Sequence, residues 1–340
     1  MSSLPLFPSS GPLLPDSPRL VGIARLASHG ESLREGHNIE YFTLPAKSVL
    51  NRCVSRRGVP FEWTINPYRG CEFGCKYCYA RYTHEFMEMR DGIAFEQKIY
   101  VKQHTAELLR QELRQVKPEE SIAIGAATDP YQPAEKRYEV TRGILEEFAR
   151  HEGLHLGIIT KSDLVVRDID VLQEVARRNR FSVHVTVTTL NVELARILEP
   201  RAPRPDLRLE AIKTLSEAGI RVGMSGSPVL PGITDSPKDV EALVRAAAKA
   251  GAHFMFAGPL FLKPCSAAVF LPFLEKQFPH LAATYKRRYQ GRAFLPESYS
   301  KPLGQLVARL REKYGLGNDP RRRQTIQPPE HARDEQMGLF

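Results

Sequence analysis

Three cysteines stand close together, Cys71, Cys75 and Cys78, in the run Asn66-Pro-Tyr-Arg-Gly-Cys-Glu-Phe-Gly-Cys-Lys-Tyr-Cys-Tyr-Ala-Arg81. A C-x3-C-x2-C spacing can place three thiolates on three irons of a [4Fe–4S] cube and leave the fourth iron without a protein ligand. An iron with an open position can take a substrate or cofactor, whereas a cluster closed by four cysteines mainly carries electrons. The competing readings are a structural zinc site and cysteines packed as small apolar groups. Zinc needs four ligands, and only Cys53, His84 or a distant residue would complete the set. Gly70 and Gly74 allow the tight backbone a cube requires, and Tyr77 offers an aromatic face beside the third cysteine. The spacing points to chemistry at a cluster.

Such a loop needs elements to hold it. Short apolar and β-branched runs recur at 61–66, 121–127, 154–160, 182–188, 221–225 and 253–257. Continuous runs of this kind read as strands buried on both faces of a parallel sheet. Helical patterns fill the gaps at 105–116, 140–151, 164–178, 208–218 and 237–250. In the last of these Val240, Leu243, Val244, Ala247 and Ala248 share one face. Strands alternating with helices imply right-handed βαβ units. Six units fall short of a full eight-stranded barrel, so the expected architecture is an α/β partial (β/α)6 TIM-like barrel, with a doubly wound open sheet as runner-up. Either fold puts the active site at the carboxyl ends of the strands. The cysteine run follows the first strand directly. Thr128 and Asp129 close the second strand, Lys161 follows the third, Thr188 ends the fourth and Ser225 the fifth.

The remaining organisation is read from composition. Residues 1–45, rich in Pro, Ser and Gly, are expected to form an extended, flexible N-terminal arm; 46–290 the core; 291–316 a C-terminal helical extension; and 317–340 a flexible tail. No apolar stretch is long enough for a membrane span, and the first residues do not read as a secretory signal, so a cytoplasmic protein with no membrane partner is expected. Five cysteines, three of them clustered, do not make a disulfide framework. The net charge of +9 and a pI near 9.3 favour a polyanionic partner such as nucleic acid.

The cysteine run, with an aromatic residue before its last cysteine, resembles the signature of the radical S-adenosylmethionine (SAM) superfamily. The resemblance implies that Cys71, Cys75 and Cys78 ligate a [4Fe–4S] cluster and that Tyr77 lies near the adenine of SAM. It also implies reductive cleavage of SAM to a 5′-deoxyadenosyl radical, with the cofactor doing the hard chemistry and the protein positioning it. Ile65-Asn-Pro-Tyr-Arg-Gly-Cys71, Tyr77-Cys-Tyr-Ala-Arg81, Thr83-His-Glu-Phe86, Thr128-Asp-Pro-Tyr-Gln-Pro133 and Thr160-Lys-Ser162 are similar to the branch related to spore photoproduct lyase, labelled DNA repair photolyase-like. The likeness covers roughly residues 45–290. On it Thr128 and Asp129 are expected at the SAM amino group, Lys161 at its carboxylate, and the hydroxyls of Thr188 and Ser225 at its ribose. The alternatives are a turn cap for Asp129 and a surface pair with Asp163 for Lys161. The branch also departs from its pattern here. Where spore photoproduct lyase carries a hydrogen-donating cysteine, this chain has Ala126 and Ala127. Cys265, or Cys53, is the candidate substitute donor.

The last five residues, Gln336-Met-Gly-Leu-Phe340, resemble the pentapeptide that binds the bacterial sliding clamp, with Gln336, Leu339 and Phe340 as anchors. The sequence therefore leads to a radical SAM enzyme acting on nucleic acid, with DNA favoured. An electron donor and the clamp are the expected protein partners. RNA or protein modification is the first alternative. A non-catalytic zinc- or cluster-bearing DNA-binding module is the alternative of another class.

Overall fold

The computed structural model describes residues 20–36, 39–53, 60–89 and 91–317. Six parallel strands form the heart of the fold: β1 (Trp63–Ile65), β2 (Ser121–Ile124), β3 (His155–Thr160), β4 (Arg180–Thr186), β5 (Val222–Ser225) and β6 (Phe254–Phe256). They lie side by side in chain order, and Leu50–Arg52 adds an antiparallel edge to β1. Register is continuous across the sheet, with Ile65 opposite Ile124, Ile124 opposite Ile158, Ile158 opposite Val183 and Val183 opposite Val222. All of these apolar residues are fully buried, as expected for strands covered on both faces.

Strand order separates the two expected architectures. A doubly wound sheet reverses direction at a switch point and carries helices on both faces. Here the order never reverses, so right-handed crossovers put the helices that connect these strands on the same face. The other face becomes an interior, which is the partial barrel. At one point that interior is tight: a Cβ on Gly223 would run into the ring of Phe254 on the neighbouring strand.

The crossover helices are α1 (Thr105–Glu112), α2 (Val140–Phe148), α3 (Ile169–Arg178), α4 (Pro205–Glu217) and α5 (Pro237–Lys249). Helix α5 shows why they start where they do: Ser236 accepts a bond from the amide of Asp239, and Pro237 occupies the first turn, where no amide partner is needed. Its buried Val240, Leu243, Val244 and Ala247 form the stripe expected from the sequence. After β6 come α6 (Pro264–Gln277), α7 (Pro279–Tyr289) and α8 (Glu297–Lys313). Helix α8 joins the main core through Leu303, Val307 and Leu310. Helices α6 and α7 instead share a second core with the cysteine loop, where Phe270, Leu274 and Tyr285 pack with Cys71, Phe73, Cys75 and Tyr77.

The loose arm expected over residues 1–45 is not what its described part shows. Gly22–Ser28 is helical, and Ser32–Gly36 pairs antiparallel with Ile39–Leu44. Ile39–Leu44 then runs parallel to Lys98–Lys102, which also pairs antiparallel with Tyr68–Arg69. This four-stranded sheet ends just ahead of Cys71. Long-range pairing, rather than local periodicity, orders the segment. The clamp-like anchors Gln336, Leu339 and Phe340 lie outside the described residues. Among the described residues no helix is long and apolar enough to cross a membrane.

Candidate active site at the barrel mouth

The cysteine loop leaves β1 at the carboxyl end of the sheet. Its backbone is tied to the frame at nearly every turn. The Cys71 amide donates to Phe95 O (2.9 Å), and the Lys76 amide donates to Leu198 O (2.9 Å). Four of its carbonyls are held by side chains from other elements. Gly70 O accepts from Thr128 Oγ1 (2.6 Å) and Gln132 Nε2 (3.2 Å). Glu72 O accepts from Arg201 Nε, Cys75 O from Arg81 Nη2 (2.9 Å) and Cys78 O from Ser266 Oγ (2.9 Å). Arg81 and Arg201 are themselves joined through the buried carboxylate of Glu96. The loop conformation is thus over-determined. Gly70 sits at φ +85°, and a Cβ there would lie 2.6 Å from Lys98 O and 2.9 Å from Phe95 O. Only glycine fits.

The three thiols form no disulfide. Cys71 and Cys75 are buried and Cys78 is partly so. Burial drives all three up, Cys75 to about 12, while Lys161 pulls Cys75 back. Each of Cys71 and Cys75 also feels Cys78, so the three sit within electrostatic reach of one another.

Opposite the loop, the ends of β3 and β4 supply charge. The ammonium of Lys161 lies 5.8 Å from the Tyr77 ring centroid. Burial disfavours its charge, but Cys75 and Glu199 outweigh that and raise its pKa. Lys161 makes no ion pair with Asp163 or with any other described residue, so it is not the surface pair weighed above. Behind it lies a fully buried pair, Glu199 and Arg208, 2.6 Å apart. Glu199 Oε1 also accepts from the Tyr77 hydroxyl and from Thr188 Oγ1 (2.9 Å). Burial would lift the Glu199 carboxyl, yet Arg208, Lys161 and Tyr77 together hold it below the usual range. Arg208 is anchored in turn on Pro203 O and Thr186 O.

The expected site residues therefore take several positions. Cys71, Cys75, Cys78, Tyr77, Lys161 and Thr188 converge on one space. Thr128 and Asp129 are adjacent, but their side chains are engaged within the frame. Thr128 bonds Gly70 O, while Asp129 accepts from Thr160 Oγ1 (2.6 Å), the Lys161 amide (2.7 Å) and the Tyr131 amide (3.0 Å). The bond to Tyr131 is the turn cap weighed against ligand contact. Ser225 is buried at the end of β5 with its carbonyl bonded to the Val187 amide. Cys265, partly exposed at the start of α6, has Sγ 3.7 Å from Ser266 Oγ, the group that holds Cys78 O. His84 is a buried structural residue, with Nε2 3.0 Å from Lys98 O and a pKa lowered to about 4 by burial. Glu199 and Arg208 escaped the sequence reading. Their only signal there is an acid between Leu198 and Pro200 in the loop after β4, with an arginine shortly beyond.

The Radical SAM superfamily model matches residues 65–247, from β1 to α5. The chain belongs to the radical SAM superfamily. An uncharacterized protein of Mycobacterium tuberculosis strain H37Rv is 36% identical over 284 residues, 83% of each chain. Another, from Methanocaldococcus jannaschii, is 30% identical over 242 residues, 71% of this chain and 85% of the relative. Among solved structures, spore photoproduct lyase complexed with dinucleoside spore photoproduct has a similar fold. The TM-score is 0.62 at 16% identity, over 82% of this chain and 80% of that one.

The residues present fit the cluster that the radical SAM superfamily implies. Three thiols project from one rigid loop, and the free cation Lys161 faces Cys75. Among the described residues no three His, Cys, Asp or Glu side chains converge on one point as ligands of a single metal ion. A cube takes one thiolate per iron and does not need that convergence.

Proposed function

We propose that this radical SAM protein acts on nucleic acid, with DNA the preferred substrate, at a nucleotide held over the cysteine loop. Cys71, Cys75 and Cys78 would hold the [4Fe–4S] cluster. When bound, cluster and SAM supply a 5′-deoxyadenosyl radical able to take a hydrogen atom from that nucleotide. Lys161 binds the SAM carboxylate, since it is a cation beside Cys75 that makes no ion pair among the described residues. Tyr77, fixed through Glu199, walls the same space. Thr188 and Ser225 lie at the same strand ends for the ribose, and Asp129 and Thr128 set the loop and the Lys161 backbone in place.

The observation that carries the substrate class is the wall beyond Cys78. Tyr79 is 38% exposed there, and the Lys263 ammonium lies 3.7 Å over the ring of Tyr82. Arg69, within electrostatic reach of Tyr82, has no ion-pair partner among the described residues, and its Nε makes no hydrogen bond. Rings and unpaired cations on one wall suit bases and phosphates. The net charge of +9 and the likeness to a lyase solved with a dinucleoside lesion support the same class. A base inside a duplex would have to flip out to reach a loop this buried.

Spore photoproduct reversal itself fits less well. Ala126 and Ala127 carry no thiol, and the Ala126 carbonyl accepts from the Tyr79 hydroxyl. Cys265 is the proposed hydrogen donor, placed beside Cys78 through Ser266. The test is the rate of 5′-deoxyadenosine formation by reconstituted, reduced protein with single-stranded DNA, duplex DNA, RNA or no polymer. DNA should raise the rate most. Stimulation by RNA alone moves the substrate to RNA, and no response to any polymer overturns the reading.

A further inference from the structure

Among the described residues only three aromatic side chains are strongly exposed: Tyr79 (38%), Phe86 (45%) and Phe294 (42%). Phe294 is far in sequence from Tyr79 and Phe86, yet the three belong to one patch. Tyr79 lies 5.9 Å from Phe261, and Phe261 lies 4.4 Å from Phe294. On the other side Phe86 lies 5.7 Å from Tyr82. Lys263 joins the two halves, 3.7 Å from the Tyr82 ring and 6.0 Å from the Phe261 ring. The patch begins at the residue after Cys78 and runs outward over the loop that follows β6. Exposed rings cost solvation without adding to a core, and here they are interleaved with a cation beside the reactive centre.

We infer that this patch is a stacking platform for single-stranded nucleic acid, taking the bases that flank the target nucleotide on the exposed rings of Phe86 and Phe294 while Lys263 meets a phosphate. The inference rests on the nucleic-acid reading above and names the form of strand and the groups that grip it. Rings alone would suit an apolar peptide equally well. A lysine among the rings is what favours a strand that presents a π-face and a negative charge at each repeat. Stacking on the two phenylalanines is indifferent to base identity, because every base has a π-face. The platform therefore gives affinity for an unpaired strand and leaves selection of the nucleotide to the mouth.

The experiment is fluorescence anisotropy with a labelled single-stranded DNA 12-mer and the matching duplex, using the full-length protein. Each ring removed should weaken single-strand binding about fivefold or more, from the roughly 1–3 kcal/mol of a stacked base. Phe294→Ala and Phe294→Leu distinguish stacking from packing. Stacking requires both to weaken binding, because leucine fills space but offers no π-face. Rescue by leucine would overturn the inference. Phe86→Leu provides a second reading of the same point if the alanine variants fold poorly, judged by far-ultraviolet circular dichroism. Lys263→Gln should flatten the dependence of binding on salt by about 0.7 on a log–log plot, the value of one phosphate contact on a single strand. Wild-type protein that binds the single strand, with ring variants that bind it equally well, overturns the platform and leaves the proposed function standing. Wild-type protein that binds no nucleic acid overturns both and leaves the patch to a protein partner.

Discussion

Removing Arg208 should be the most damaging single change that touches no thiol. Its guanidinium lies 2.6 Å from Glu199, and the two side chains are 1% and 0% exposed. The contact joins Arg208 Nη2 to Glu199 Oε2 directly, away from solvent. Arg208→Met keeps bulk but leaves the carboxylate buried with only Lys161 as a nearby cation. Stranding one half of a buried pair costs about 3–5 kcal/mol. For a chain of 340 residues that is a fall in melting temperature of roughly 4–7 °C. The pH dependence follows from the same charge. In the native protein Glu199 titrates below its usual value, so the pair's contribution is present above the unfolded value and fades as pH falls through the depressed one. Without Arg208 burial dominates, the carboxyl moves up, and the penalty is greatest at neutral pH. Protonation on acidification should shrink the gap between variant and wild type. Glu199→Gln combined with Arg208→Met should recover most of the loss, because a neutral pair strands no charge. The assay is thermal unfolding of the cluster-free protein by circular dichroism at neutral and mildly acidic pH. A loss below about 1 kcal/mol at neutral pH, or one that does not shrink with acid, would refute the reasoning.

Gly70→Ala should cut iron incorporation by more than half on reconstitution, read as iron and sulfide per chain, because its Cβ meets two backbone carbonyls that cannot move aside. Lys161→Met should weaken SAM binding about tenfold or more, the worth of a hydrogen bond to a charged group, measured by equilibrium dialysis against the reconstituted protein. Thr128→Val removes the 2.6 Å bond to Gly70 O and should lower cluster retention while leaving SAM affinity per intact cluster unchanged. Cys265→Ala should leave 5′-deoxyadenosine formation in place but abolish solvent-derived hydrogen in the repaired or modified nucleotide, read by mass spectrometry in deuterated water.

The six parallel strands were legible because each is a short, largely buried run dominated by apolar and β-branched residues, as with Ile122, Ala123 and Ile124, and with Phe181, Val183 and Val185. The four-stranded sheet beside them was not. Lys98–Lys102 begins and ends on lysine, and Tyr68–Arg69 is two residues long, so neither carries a local pattern; partners distant in sequence make them strands. The same holds within the site. Cysteine spacing and the lysine after β3 could be read directly, since a motif or a strand end fixes their place. Glu199 and Arg208 could not, because a buried ion pair is defined by the distance between two side chains. Thr128 and Asp129 lie beside the cysteine loop, and their hydrogen bonds turn toward Gly70, Thr160 and the Lys161 amide.

The central claim is that the radical made over the cysteine loop attacks a nucleotide. Deuterium transfer tests it most directly. Reconstituted protein, reductant, unlabelled SAM and single-stranded DNA carrying deuterium on sugars and bases should yield 5′-deoxyadenosine enriched in deuterium, with enrichment lost in Cys75→Ala. Unenriched 5′-deoxyadenosine, formed at the same rate with or without that DNA, would contradict the account.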